Sequence, residues 1–255
     1  MLIIAFKLLT TPFMISSASW AGRRWGPVVS GLLIGLPLTS GPISVLLACE
    51  YGPAFSAHAA VGSLAGQISN CLFCLTYTWA ARRWGWLASV AVGVATFLLS
   101  TLVLKQVAWQ LWSAFFSLLA MSLLASRLMP RHPASGERVV PPKWDLPVRI
   151  LIATSFVVTL TTMADRLGPT LSGLIAPFPV LGLVFAAFTH LQQGARMATN
   201  LLRGFVMSSF SFAVFFLVAS ASVLRLGIAP AYLLAATLAI ATSGTMYWLS
   251  GRQAR

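Results

Sequence analysis

The sequence predicts an all-α polytopic membrane protein with about nine transmembrane helices, arranged as two inverted-topology repeats. Three observations carry this expectation. Of 255 residues, 58% are hydrophobic and only 8% are charged, against about 25% charged in a soluble domain. With a mean hydropathy of +0.86, the chain cannot clothe a water-facing surface. The chain also contains one stretch twice: RWGPVVSGLLIGLP…YGPAFS from Arg24 and RLGPTLSGLIAPFP…QQGARM from Arg166, matching without a gap at an offset of 142 positions. Finally, the Lys and Arg residues fall unequally into alternate loops.

Apolar runs fit to cross roughly 30 Å of hydrocarbon lie at 2–20, 27–49, 54–79, 84–104, 107–128, 148–163, 169–191, 197–219 and 228–250, the sixth being short. Each is expected to be helical, because a spanning segment must satisfy its own backbone and continuous apolarity argues against barrel strands. The run at 2–20 is read as a retained span and not a leader: it lacks a basic flank, and its counterpart in the second copy is internal. The polar stretch 129–146, with Pro130, Pro133, Pro141 and Pro142, reads as a linker holding Glu137 and Asp145. The organisation is then a first membrane repeat (1–104), a linking helix and cytoplasmic linker (105–147) and a second membrane repeat (148–255).

Charge sets the orientation. Arg23, Arg24, Arg82, Arg83, Arg127, Arg131, Arg138, Lys143, Arg149, Arg196, Arg252 and Arg255 fall on one side of such a nine-crossing chain. Lys105, Arg166 and Arg225 fall on the other, and Lys7 and Arg203 within spans. The positive-inside rule places the N-terminus outside and the C-terminus in the cytoplasm of a bacterial-type inner membrane. Five crossings separate the copies, an odd number, so they face opposite ways in a 4+1+4 plan. The net charge of +13 follows from these loops, with no basic stripe or interleaved aromatics to suggest nucleic acid. The expected partners are the lipid bilayer and a small-molecule solute, and the plan is compatible with a homo-oligomer.

The second span of each copy carries helix-breaking residues: Pro37 and Pro42 around Thr39, Ser40 and Gly41, then Pro177 and Pro179. Proline removes a donor and clashes with the preceding turn. Paired interruptions at matching places in two halves point to a transporter binding site, and a packed kink is the alternative. Thr39, Ser40 and Gly41 are the ligand contacts expected there. Gln67 and Asn70 lie three apart on the third span, and Arg196, Asn200 and Arg203 form a stripe on the eighth. Gln67, Asn70, Asn200 and Arg203 complete the expected substrate-binding set. Arg203 either snorkels to the headgroups or faces inward, where it would favour an anionic solute. Gly62 and Gly66, and Gly204 with Ser208, read as helix-packing pairs.

Chemistry beyond binding finds no support. Cys71 and Cys74 form a CxxC, but on a spanning helix they read as small apolar residues, with no second pair to complete a metal site. Paired acids, nucleophilic triads and nucleotide loops are lacking, so neither an enzyme nor a cofactor is expected. Glu50, at an outer helix end, is read first as a solvent-exposed acid and otherwise as the one acid placed to couple ions.

The second half, SGLIAPFPVLGLVFAAFTHLQQG followed by a Gly-containing span and a final apolar span, resembles the GlpM-type small inner-membrane proteins. Their length is close to one half, and their second span is proline-interrupted. The resemblance implies fold and location but no activity, and the chain resembles a fusion of two such units. The first half departs from the pattern at PLTSGP. The expected function is a permease working by alternating access between two inverted repeats. A non-transporting scaffold for envelope assembly is the other reading.

Overall fold

The computed structural model describes residues 2–37, 40–132, 144–156, 159 and 178–253, with side chains described between 11 and 248. Every regular element among them is helical. In chain order these are α1 (Leu2–Trp25), α2 (Pro27–Gly35), α3 (Ser40–Tyr51), α4 (Pro53–Ala80), α5 (Trp86–Leu104), α6 (Leu111–Leu128), α7 (Val180–Gln193), α8 (Ala195–Leu226) and α9 (Ile228–Gln253). A further helical stretch occupies 145–156. Six stretches among the described residues are long and apolar enough to cross a membrane, α2 with α3 counting as one. This is a multi-pass membrane protein.

The sequence repeat recurs in the backbone. At the offset of 142 positions, the starts of α4 and α5 coincide with those of α8 and α9, and the ends of α3 and α7 also coincide. The turn before each long helix is made by an equivalent glycine, Gly52 at φ +90° and Gly194 at φ +84°. A side chain with a Cβ rarely adopts that left-handed conformation, which explains why both copies keep glycine there.

α4 and α8 form the centre. The apolar windows of both are 61% buried, against 22% for α5 and α9, whose outer faces carry Leu98, Leu99, Leu233 and Leu238. Such faces suit lipid. Two hydrogen bonds fix how the central pair runs. The Ser220 hydroxyl donates to the Ala57 carbonyl (3.0 Å) near the start of α4 and the end of α8. At mid-length, Gln67 Nε2 donates to Ser209 Oγ (3.0 Å). Moving up α4 means moving down α8, so the two equivalent helices are antiparallel. Gln67 and Ser209 are themselves repeat-equivalent, so their contact marks a local twofold pseudo-axis.

Helix α2 lies on α8 at backbone contact. A Cβ on Gly31 would collide with the Leu201 carbonyl, one on Gly204 with the Val28 carbonyl, and one on Gly35 with the Ser208 side chain. Small residues four apart on both helices allow this approach. The expected Gly204 and Ser208 pair thus packs against Gly31 and Gly35.

The C-terminal ends of α1, α4, α6 and α7 gather with the start of α8. Trp79 Nε1 donates to the Leu128 carbonyl (3.2 Å), and Tyr77 meets His190 (OH to Nδ1, 3.2 Å). One expectation is corrected here. The sequence predicts a polar linker at Asp145, but this residue opens the helical stretch 145–156 and is 2% exposed. Its Oδ1 accepts from Arg149 Nε (2.8 Å) and Gln192 Nε2 (2.6 Å), with Arg23 at 3.8 Å. A carboxylate with a guanidinium one helical turn later is stable in burial only when so paired. The prolines before it hide this in the sequence. The helix carrying the start of the run expected at 148–163 therefore begins at 145, and 157, 158 and 160–163 lie outside the described residues.

Candidate functional site

Two features stand near the middle of the molecule. The first is a break. Pro37 cannot donate and opposes the preceding turn, and Leu36 takes an extended conformation (φ −62°, ψ 149°) after α2. The helix resumes at Ser40 as α3. In the second copy Pro179 stands directly before α7, and Pro177 lies outside the described residues, as does Thr39.

The second feature is a buried polar layer on the pseudo-axis. Gln67, near the midpoint of the 28-residue α4, sits about 21 Å along that helix. Its Oε1 accepts from Asn70 Nδ2 (2.7 Å) while its Nε2 reaches Ser209. Cys71 Sγ lies 3.5 Å from both Ser122 Oγ on α6 and Ser209 Oγ. Asn70 is 6% exposed, and its Oδ1 has no hydrogen-bond partner among the described residues. Leaving a buried acceptor unpaired costs on the order of 1–3 kcal/mol. Flanking this layer, Thr101 donates to Ser69 (2.9 Å) and Ser243 pairs with Ser211 (2.6 Å). These are repeat-equivalent bonds, one in each half. Ser211 also donates to the Ala239 carbonyl.

The expected site residues therefore separate into three places. Ser40 and Gly41 stand at the break, where Gly41 is buried with the Phe215 ring against it. Gln67 and Asn70 are brought together on the axis. Asn200 and Arg203 lie towards the start of α8, away from both. Asn200 is buried, while Arg203 Nη1 donates to the carbonyls of Ser126 (3.1 Å) and Met129 (2.9 Å). The guanidinium thus caps the C-terminal end of α6, where free carbonyls attract a cation.

Beside the break lies a cavity of about 450 Å³, lined by Leu36, Pro37, Gly41, Pro42, Val45, Leu46, Phe215, Tyr232, Ala236, Ala239 and Ile240. Its walls are apolar, and the volume falls in the usual range for ligand pockets. At its outer side the Tyr232 hydroxyl bonds Ser44 (2.6 Å) and Ser56 (2.5 Å), tying α3, α4 and α9 together. Ser44, Ser56 and Tyr232 carry no local sequence signal for this cluster. Only the offset separates them: their equivalents are Ala186, Ala198 and Val90, so the hydroxyl cluster, drawn from both copies, stands on one side of the pseudo-axis without a counterpart on the other.

No protein family, no curated protein and no solved structure matches this chain. The GlpM-type resemblance rests on its motif alone.

Proposed function

We propose that this multi-pass protein is a permease for a small solute, built from two inverted repeats that exchange conformations about the Gln67–Ser209 axis. The carrying observation is the antiparallel contact of equivalent helices at mid-length, with a broken helix beside it. Two copies facing opposite ways can swap shapes and open the site alternately to each side. Ser40, Gly41, Gln67 and Asn70 are the contacts this reading assigns, with Thr39 between the two prolines. The assignment to a bacterial-type inner membrane, N-terminus outside, rests on the charge distribution.

A scaffold role is the second reading, favoured by Arg203, whose guanidinium is taken up by α6 carbonyls, and by the backbone-close packing of α2 on α8. Thiol accessibility separates the two. Thr39→Cys and Ser40→Cys, each in a background with Cys49, Cys71 and Cys74 replaced by Ala, are exposed to a small membrane-impermeant thiol reagent from either side. A permease gives labelling from both sides, and reconstituted liposomes then show solute flux across a metabolite panel. Cysteines that stay unreactive from both sides, with no flux, leave the scaffold.

A further inference from the structure

The cavity beside the break lies between α3 of the first copy and α8 and α9 of the second, and the repeat shows what fills the equivalent place across the pseudo-axis. At the offset of 142 positions, Leu36, Leu46 and Ala239 correspond to Phe178, Phe188 and Phe97. In the second place Phe97 is fully buried and packs edge-on against Phe178, with ring centroids 5.2 Å apart. Phe188 packs against the same core. One scaffold thus holds three aromatic rings on one side of the axis and smaller side chains around an open cavity on the other. Interiors are otherwise close-packed, with few voids larger than a water molecule.

The cavity also has a direction and an outlet. Its wall on α9 runs from Tyr232 to Ile240, about 12 Å at 1.5 Å per residue. Tyr232 is close to the start of α9, and Pro37 is at the break in mid-span. The cavity therefore runs from one membrane face towards the centre, over much of the roughly 15 Å depth of one leaflet. Ile240 is 69% exposed on the lipid-facing side of α9, so the cavity reaches the surface where hydrocarbon is its neighbour. Apolar walls, the length of a leaflet and a lateral outlet fit a single hydrocarbon chain.

We infer that this cavity is a binding site for one acyl chain of a bilayer phospholipid, entering sideways between α3 and α9. The site does not depend on the transport reading and would serve a permease or a scaffold alike.

The test uses the full-length protein in nanodiscs of phosphatidylethanolamine and phosphatidylglycerol. A phospholipid carrying a diazirine midway along one acyl chain is photo-activated, and labelled peptides are mapped by mass spectrometry. Label is expected to concentrate on α3 and on α9 between Tyr232 and Ile240. Ala239→Phe, which restores the side chain of the other half, should lower that label about tenfold without lowering label on α5. Gly41→Leu, which restores Leu183's side chain, is the second variant should the first fail to fold. Label spread evenly over all lipid-facing helices and unchanged in a folded filling variant would overturn the inference. So would concentrated labelling by a diazirine fatty acid alone, with none by the phospholipid.

Discussion

At the scale of single residues, Asp145 gives the sharpest expectation. Its carboxylate is buried against Arg149, and Gln192 and Arg23 complete its surroundings. Asp145→Ala leaves the Arg149 guanidinium buried without its counter-ion and should cost about 3 kcal/mol. Asp145→Leu with Arg149→Leu removes both charges and should recover most of that loss, which denaturant unfolding in detergent would measure. His132 belongs to the same end of the molecule. Burial first, and then the charges of Arg196, Arg82 and Arg203, lower its pKa from the ordinary 6.5. The folded protein therefore favours the neutral ring. The associated stability is complete above the unfolded value and is lost as pH falls through the lower folded value. On acidification from pH 7.5 to about 5, His132→Gln should lose less thermal stability than the parent. An identical loss in both proteins would remove His132 from the account.

At the scale of elements, the packing of α2 on α8 depends on hydrogen atoms where other residues have carbon. Gly204→Leu pushes a side chain into the Val28 carbonyl and should destabilise by about 3 kcal/mol, and Gly31→Leu likewise against Leu201. Gly85→Leu, at a glycine with open space around it, is the control, and thermal unfolding in detergent compares the three. Much at this scale was legible in the sequence. The break was legible at Pro37, which follows the end of α2, because a proline leaves the backbone few choices. The burial of Asp145 was not legible, since Arg149 is near in sequence but Arg23 and Gln192 come from α1 and α7, and only tertiary packing buries the group. Nor was the role of Arg203, since a helical stripe does not reveal that the C-terminal end of α6 lies within reach. The cavity escaped for a related reason. Leucine, alanine and phenylalanine are equally apolar, so only the comparison of equivalent positions in space separates an empty place from a filled one.

At the scale of the whole molecule, two equivalent long helices cross antiparallel at their midpoints, and the rest is arranged around them. Equivalent hydroxyl pairs, Thr101 with Ser69 and Ser243 with Ser211, fasten an outer helix to each central one. Departures from this symmetry are where function is best sought: the Ser44–Ser56–Tyr232 cluster, the cavity and the unpaired Asn70 oxygen. All of them depend on the two copies facing opposite ways across the bilayer. Tyr51 and Gln193 are repeat-equivalent and stand at matching turns. The direct test is side-specific labelling of Tyr51→Cys and Gln193→Cys, each in a background lacking Cys49, Cys71 and Cys74, with an impermeant thiol reagent on intact cells and on inverted vesicles. The inverted arrangement predicts Tyr51→Cys labelled only from outside and Gln193→Cys only from the cytoplasmic side. Labelling of both from the same side would contradict it.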